Sequence, residues 1–187
     1  DFDEGGEDIA YALMVLAREG AARMGDLRYY ADVKAQALAT PLAAAQLGAA
    51  LAAYGESTRA DRLFRQARAM LGDGPTRERP VWRADYGTAL RDRAGVLALA
   101  VQAGSDAVDP GALAAPLASA GPEMSTQEQA WMLLAARALI SDVTVAGLTV
   151  DGQPVPGPFV RTLQAGDGDS RTLRNTGSSR ELLSHLR

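Results

Sequence analysis

The sequence contains no cysteine and a single histidine among its 187 residues. Without cysteine, these residues cannot form a disulfide, a thiol nucleophile, a Cys-ligated zinc site or an internal thioester. The histidine, His185, lies in a polar tail without a serine or cysteine partner in a structured context, so no catalytic triad is predicted. The compartment stays open, because cysteine-free proteins occur in every compartment.

Long apolar runs and a surplus of positive charge are also missing. No uninterrupted apolar stretch reaches about 18 residues, and no basic-then-apolar leader is present, so neither a transmembrane segment nor a signal segment is predicted in this chain. The formal net charge is −4, which argues against nucleic acid and anionic lipid as partners, since both attract surplus Lys and Arg. Because the chain begins at Asp1 rather than Met, we expect a piece of a longer protein.

Carboxylates are the remaining candidates for chemistry, and their spacing identifies no site. An acidic opening lacks the ligand spacing of a calcium loop and is interpreted as a solvated end. Two aspartates in the tail resemble the first half of such a loop, but no bidentate glutamate follows them. Three others are too scattered for a general acid and base pair. We therefore predict no catalytic, cofactor-binding or metal-ligating residue, and no cofactor. The acidic opening consists of Asp1, Asp3, Glu4, Glu7 and Asp8. The two tail aspartates are Asp167 and Asp169, and the three scattered ones are Asp61, Asp85 and Asp92.

Helical periodicity between strong stop signals predicts a mainly α fold over residues 1–142. Thr40 followed by Pro41 supplies an N-cap and a proline at the first helical position. The run AGVLALAVQAG is apolar nearly all round and predicts a helix packed on most sides. Short loops favour antiparallel hairpins, with a longer loop at about 72–85. The predicted helices span about 7–19, 26–39 capped by Asp26, 41–54, 57–71 capped by Ser57, 86–103, a shorter one from Asp109-Pro110 to Ser119, and a last one starting at Ser125.

A change of pattern predicts β-structure near the end of the chain. Residues 143–163 alternate β-branched and other residues, and three prolines exclude a helix there. Asp151-Gly152 suits a two-residue hairpin. The polar tail that follows is either flexible or forms strands only when partner strands are present. The second predicted part is therefore 143–187, a short β-segment with a flexible tail.

The stretch STQEQAWMLLA at 125–135 contains Thr-Gln-Glu-Gln, which differs by one side chain from the thioester motif Cys-x-Glu-Gln. Threonine cannot form that bond. Ser125 and Glu128 have the spacing of a capping box, so the stretch is interpreted as a helix start. Trp131, Leu134 and Ala135 then follow at core spacing.

One arginine row and one repeat-like segment are open to two interpretations. Four arginines recur every three residues on the fourth helix and form either a solvated face or a site for an acidic partner. A segment at 44–67 has the small-and-aromatic spacing of a tetratricopeptide repeat, but its 34-residue period fails on both sides. A helical-repeat interaction scaffold stays as the alternative function. The residues are Arg59, Arg62, Arg65 and Arg68 for the row, and Leu47, Gly48, Ala60, Phe64 and Ala67 for the repeat.

Five segments in order carry a resemblance to a known family. They are GDLRYYAD at 25–32, TPLAAAQLGAALAAYGE at 40–56, YGTALRDRAGVLAL at 86–99, STQEQAWMLLAA at 125–136 and VDGQPVPGPFVRTL at 150–163. Together the chain resembles bacterial alpha-2-macroglobulins. The resemblance covers the later part of their thioester-containing helical domain, an α/α toroid, and the return into an adjoining β-sandwich module.

This resemblance implies a fragment of a large cell-envelope protein of the periplasm, anchored by lipid through a distant N-terminus. Such proteins are expected to inhibit proteases of broad specificity: a protease cuts a bait region, and the protein rearranges around it. The step is capture rather than turnover, so an enzyme is not implied. Here the segment would shelter the reactive centre while carrying no thioester and no bait region. Proteases are the implied partners, and the resemblance also suggests a cell-wall synthesis enzyme.

Overall fold

The computed structural model of the chain describes residues 5–72, 85–121, 123–141, 148–154 and 172–176. The chain divides into two compact units, residues 1–138 and 139–187. The assignment of 1–142 to a toroid domain and of 143–187 to a β-sandwich module stays a prediction. The described ranges contain the helices α1 (Glu7–Arg18), α2 (Met24–Tyr29), α3 (Pro41–Ala53), α4 (Ser57–Leu71), α5 (Ala89–Gln102), α6 (Pro110–Leu117) and α7 (Thr126–Ser141).

The core of the first unit is built around α3 and α5. Helix α3 packs against α1, α4 and α5, and α5 packs also against α6. All residues from 91 to 100 of α5 are buried, which confirms the prediction of a helix packed on most sides. Alanine and glycine make up most of α3, and α5 has Ala94, Gly95, Ala98 and Ala100 among its buried residues, so neighbouring backbones can approach closely.

Two glycines mark the closest approaches. A Cβ at Gly48 of α3 would lie 3.3 Å from the carbonyl oxygen of Ala60 and 3.4 Å from the Phe64 ring of α4. Small and aromatic residues therefore pack the α3–α4 hairpin as the repeat-like spacing predicted. A Cβ at Gly95 of α5 would collide with Leu42 Cδ1 of α3 and lie 3.4 Å from Trp131 Cε3 of α7.

Several predicted helix starts are confirmed. Thr40 caps α3, its hydroxyl accepting from the Ala43 amide at 3.2 Å, and Pro41 is the first helical residue. Asp109 caps α6 in the same way, its carboxylate accepting from the Gly111 amide at 2.9 Å. The capping box at Ser125 is also present and is described with the site below.

Two predicted caps are wrong. Asp26 lies inside α2, where Arg23 holds the N-cap position, and Ser57 is the first residue of α4, after Glu56. Helix α5 starts at Ala89 rather than near 86, because Tyr86 has a positive φ of 51° that interrupts the helix.

The second predicted helix, 26–39, is not uniform. After α2 the chain widens into a π-helix, Tyr30–Lys34, and tightens into a 3₁₀-turn, Ala35–Ala37. Side chains of α4 stabilise these turns: Arg62 donates to the Ala31 carbonyl at 2.8 Å and Gln66 donates to the Ala35 carbonyl at 2.7 Å. Carbonyl groups that a regular helix would use internally are therefore satisfied from outside.

A three-stranded antiparallel sheet lies in the second unit, in the order β2 (Gln153–Pro154), β1 (Leu148–Val150), β3 (Leu173–Asn175). Asp151 and Gly152 join β1 to β2 with φ values of 52° and 81°. Two consecutive positive φ values fit a type I′ turn, so the predicted hairpin is confirmed. The tail contributes β3 to this sheet. The remaining parts of 143–163 lie outside the described residues, as does most of the predicted loop at 72–85.

Candidate functional site

Arg91 is the centre of a buried polar cluster in the first turn of α5. Its side chain is only 5% exposed, and it ion-pairs with Asp92 at 2.7 Å and with Asp85 at 2.6 Å. Its Nε also donates to Asp92 Oδ1 at 3.1 Å. Its Nη1 donates to the Asp85 carbonyl at 3.0 Å and to Gln127 Oε1 at 2.9 Å. A guanidinium has five N–H donors, and these five bonds use all of them. Arg91 therefore fastens the start of α5 to the preceding turn and to α7.

A second set of bonds joins the same two helix starts. The Ser125 amide donates to Glu128 Oε2 at 2.6 Å, and the Glu128 amide donates to the Ser125 hydroxyl at 3.3 Å, which confirms the predicted capping box. The other carboxylate oxygen of Glu128 accepts from the Thr88 hydroxyl at 2.7 Å. Thr88 is itself the N-cap of α5, since its hydroxyl oxygen accepts from the Arg91 amide at 3.1 Å. One carboxylate therefore serves the first turns of two helices.

The electrostatics of Glu128 follow from these bonds. Partial burial raises the pKa of Glu128, but the hydrogen bonds from Thr88 and from Ser125 outweigh that effect and leave the pKa below its ordinary value. The ionised carboxylate is thus the form that the folded chain favours.

A pocket of about 380 Å³ lies beside this cluster, and we name it the amino-end pocket. Its wall takes residues from the first two turns of α1, α3, α5 and α7, so the starts of these four alternate helices face the same end of the unit. A smaller pocket of about 240 Å³ is lined by residues from the other ends of α1, α3 and α5, which shows that these three run parallel. The wall of the amino-end pocket includes Glu7, Asp8, Tyr11, Gln46, Gln127 and Trp131.

Gln46 is one of three nearly buried polar residues in that wall, with Thr40 and Arg91. It is 5% exposed, and within the described part of the chain its amide makes no hydrogen bond. Glu7 and Asp8, at the start of α1, form no ion pair within the same residues. The pocket wall therefore carries two carboxylates that form no ion pair within the described residues.

The outer face of α4 carries a separate charged clamp. Asp32 accepts from Arg59 at 3.0 Å and from Arg62 at 2.8 Å. Glu56 pairs with Arg28 and, at 2.7 Å, with Arg59. The hydrogen bonds from Arg59 and Arg62 lower the pKa of Asp32, and those from Arg28 and Arg59 lower the pKa of Glu56. Two of the four arginines in the predicted row, Arg59 and Arg62, thus have acidic partners in the same chain, on the π-helix after α2 and in the turn before α4.

Comparisons with known proteins bear on the whole of this arrangement. No protein-family profile matches the chain. The alpha-2-macroglobulin of Escherichia coli (strain K12) is 38% identical over 90 residues, which cover 48% of this chain and 5% of that protein. The solved native structure of E. coli alpha-2-macroglobulin superposes with a TM-score of 0.64 and 25% identity, over 93% of this chain. In sequence and in fold, the chain is similar to one part of the bacterial alpha-2-macroglobulins.

A second solved structure agrees. Salmonella alpha-2-macroglobulin reacted with methylamine superposes with a TM-score of 0.63 and 29% identity over 95% of this chain. The chain spans only 10% of the E. coli structure and 12% of the Salmonella one, so it superposes on one segment of each. The mainly helical fold of the described residues matches those structures, as the resemblance predicted.

The candidate residues chosen from the sequence do not form one site in the described part of this chain. Asp61 accepts from Ser105 at 2.5 Å and lies apart from Asp85 and Asp92, which share Arg91. The described residues contain no group of three or more potential metal ligands. The other candidates, Asp1, Asp3, Glu4, Asp167, Asp169 and His185, lie outside the described residues.

Sequence reasoning missed the residues that the structure brings together. Arg91 and Asp92 were readable as a charged pair at the start of an apolar helix, and full burial of such a pair requires a partner network. Gln46 gave no signal, because a single polar residue in an alanine-rich helix is ordinarily solvent-facing. Leu134, predicted to be core, is 37% exposed, whereas Ala135 is buried.

Two helices of the segment carry uncovered apolar side chains. On α1, Tyr11 is 55% and Val15 is 39% exposed, one turn apart on one face. On α7, Leu133 is 71% exposed beside Leu134. These are the first and last of the four alternate helices that share the amino-end pocket.

Within the described ranges, none of the helices combines the length and apolar character needed to span a bilayer.

Proposed function

We propose that the chain is a structural segment of a bacterial alpha-2-macroglobulin that inhibits proteases by trapping them after bait-region cleavage. The superposition over 93% of the chain on the native E. coli structure carries this proposal. In it, the segment supplies part of the helical domain that shelters the reactive centre. It contributes no thioester, since it contains no cysteine.

The described cluster supports a sheltering role rather than catalysis. Every donor of Arg91 is used inside the chain, so its guanidinium offers nothing to a substrate. Thr88 and Glu128 likewise use their oxygens to cap helices. Such fully bonded groups fix the positions of α5 and α7, and a fixed helical wall is what exclusion of water from a reactive bond requires.

The exposed apolar faces of α1 and α7 fit a segment cut from a larger helical layer. Tyr11 and Val15 on one side, and Leu133 on the other, would be covered by neighbouring helices of the same domain. Burial of these side chains would contribute roughly 25 cal/mol for each Å² of apolar surface removed from water.

The family resemblance supports a location of the parent protein in the periplasm, as a lipid-anchored component of the cell envelope. The comparisons give no support for a cell-wall synthesis enzyme as a partner, and the proposal includes none.

A trapping assay on the full-length parent protein tests the inhibitor part. The parent is incubated with trypsin, elastase or subtilisin, and cleavage of casein is compared with cleavage of a small chromogenic peptide. A trap blocks the large substrate and spares the small one. Deletion of the bait region is the control and should abolish the effect. Equal cleavage of both substrates with and without the parent protein would refute the inhibitor function.

The sheltering part has a separate test. Where the parent carries Cys-x-Glu-Gln, methylamine should release its thiol slowly in the intact protein, and Gly95→Ala should accelerate the release by loosening the α3, α5 and α7 contacts. Gly25→Ala is the matched control, because a Cβ there meets nothing within 4 Å. Identical release rates for both variants would remove the sheltering role.

The upstream sequence distinguishes this proposal from the helical-repeat scaffold. A macroglobulin parent has β-domains before the helical segment, whereas a scaffold has further 34-residue repeats. A short reading frame without β-domains would exclude the macroglobulin interpretation.

A further inference from the structure

We propose that the segment before α3, residues 26–39, has two helical forms: the π-helix and 3₁₀-turn of this structure, and a regular α-helix that forms when α4 releases the segment. The deciding observation is that two carbonyl groups of the segment accept hydrogen bonds from α4 side chains, Arg62 and Gln66. A π-helix is rare, so the contacts that hold this one identify an element with an alternative conformation. The inference does not depend on protease trapping.

The sequence of the segment favours the regular helix. Residues 26–39 contain neither proline nor glycine, the residues that ordinarily interrupt a helix. Its buried apolar side chains recur every three or four residues, as one face of an α-helix requires. A regular helix would therefore bury the same side chains, and the core does not require the π-helix. These side chains are Leu27, Ala31, Ala35 and Leu38.

Two side chains of α4 hold the widened turn. Arg62 Nη2 donates to the Ala31 carbonyl, inside the π-helix, at 2.8 Å. Gln66 Nε2 donates to the Ala35 carbonyl, where the 3₁₀-turn begins, at 2.7 Å. Both carbonyls belong to buried residues, so a donor from α4 replaces the amide that a regular helix would supply. Insertion of a side chain into the hydrogen-bond ladder is a known cause of helix distortion.

Asp32 links the charged clamp to this carbonyl contact. The same Arg62 Nη2 that donates to Ala31 also donates to Asp32 Oδ1 at 2.8 Å. Arg59 Nη2 lies 3.0 Å from Asp32 Oδ2. The hydrogen bonds from Arg59 and from Arg62 hold the pKa of Asp32 below its ordinary value, so the carboxylate is charged at neutral pH. The charge of Asp32 therefore keeps Arg62 at the Ala31 carbonyl.

The clamp is open to solvent, although the carbonyls that it serves belong to buried residues. Half of the Arg62 side chain and more than a third of Asp32 are exposed. Salt weakens ion pairs of this kind, and an acidic group that competes for Arg59 and Arg62 would separate them from Asp32. Either event weakens the hold on Ala31 and favours the regular helix. The arginine row would then control the winding of its neighbour, and with it the surface that the exposed Val33 presents.

The test uses the 187-residue chain labelled with ¹⁵N and ¹³C. Scalar couplings across hydrogen bonds show which carbonyl each amide uses, the one five residues earlier in a π-helix and the one four residues earlier in an α-helix. Wild type should show five-residue couplings in the π-helix. The double variant Arg62→Met/Gln66→Met lacks both donors from α4 and should show four-residue couplings there, with the other helices unchanged.

Single variants measure each contact. Asp32→Asn, Arg62→Met and Gln66→Met should each raise the ratio of the α-form to the π-form about five-fold, as expected for loss of one hydrogen bond. Chemical-exchange saturation transfer measures this ratio while the α-form is minor. Arg65→Met and Asp26→Asn make the same chemical changes at exposed positions of α4 and α2, and both should leave the ratio unchanged.

Three results would overturn the inference. Five-residue couplings in the double variant would show that the π-helix does not need α4. Loss of both kinds of coupling, with the other helices intact, would show that the segment has no regular helical form. An effect of Arg65→Met equal to that of Arg62→Met would exclude the specific contact. If the double variant does not fold, the single variants Arg62→Met and Gln66→Met decide, and an unchanged ratio in both contradicts the inference.

Discussion

Gly95→Ala is expected to destabilise the helical unit, although alanine is the better helix former. In an exposed helix the exchange would stabilise by about 1 kcal/mol. At Gly95, however, the new Cβ would lie far inside the roughly 3.5 Å contact distance from Leu42 Cδ1 and 3.4 Å from the Trp131 ring. Overpacking of a well-packed core costs about 1 to 3 kcal/mol. Subtracting the propensity gain of about 1 kcal/mol from this cost leaves an expected net loss of up to about 2 kcal/mol.

Urea unfolding followed by circular dichroism measures this loss as a lower midpoint at an unchanged slope. Gly25→Ala is the matched control and should raise stability by up to about 1 kcal/mol, because the new Cβ has open space. A shorter side chain at the site of collision, Leu42→Val, should be less damaging in the Gly95→Ala background than alone, since it removes the clashing methyl group. Wild-type or higher stability of Gly95→Ala would refute the close packing of α3, α5 and α7.

Three further predictions follow from the polar contacts. Arg91→Met should cost about 3 to 5 kcal/mol in urea unfolding, because Asp92 is 1% exposed and loses the ion pair that Arg91 makes with it; a loss below about 1 kcal/mol would contradict the buried network. Tyr54→Phe should cost about 1 kcal/mol in thermal unfolding, because it removes the hydroxyl that donates to the Ala22 carbonyl at 2.8 Å. An unchanged unfolding temperature would contradict this contribution. The lowered pKa of Glu128 contributes stability above its ordinary value of 4.5 that is lost as pH falls through the folded-state pKa. Glu128→Gln should therefore be less stable than wild type at pH 7 and should lose less stability on acidification, and parallel pH profiles would exclude this linkage.

Local signals in the sequence predicted the parts of the fold that depend on local chemistry. Thr40-Pro41, Ser125 with Glu128, and Asp151-Gly152 each satisfy backbone groups within a few residues of themselves. Because the partner atoms are adjacent in sequence, the pattern alone identifies them.

The remaining features depend on contacts between distant residues. The π-helix at Tyr30–Lys34 is stabilised by Arg62 of α4, and β3 pairs with a strand about 25 residues earlier in the chain. The Arg91 cluster requires Gln127, 36 residues away. Gln46 is buried only because α1, α5 and α7 surround the start of α3. No short pattern encodes such neighbours, so the amino-end pocket could not be predicted from the sequence.

The position of Glu128 has a consequence for motion. Its two oxygens hold Ser125 in its own helix and Thr88 at the start of α5, so neither first turn can fray without weakening the bonds of the other. Local opening at these two places, 40 residues apart in sequence, should therefore occur as one event. In amide hydrogen exchange, the protection of Arg91 and Glu128 would then rise and fall together, and the two helix starts would form one cooperative unit.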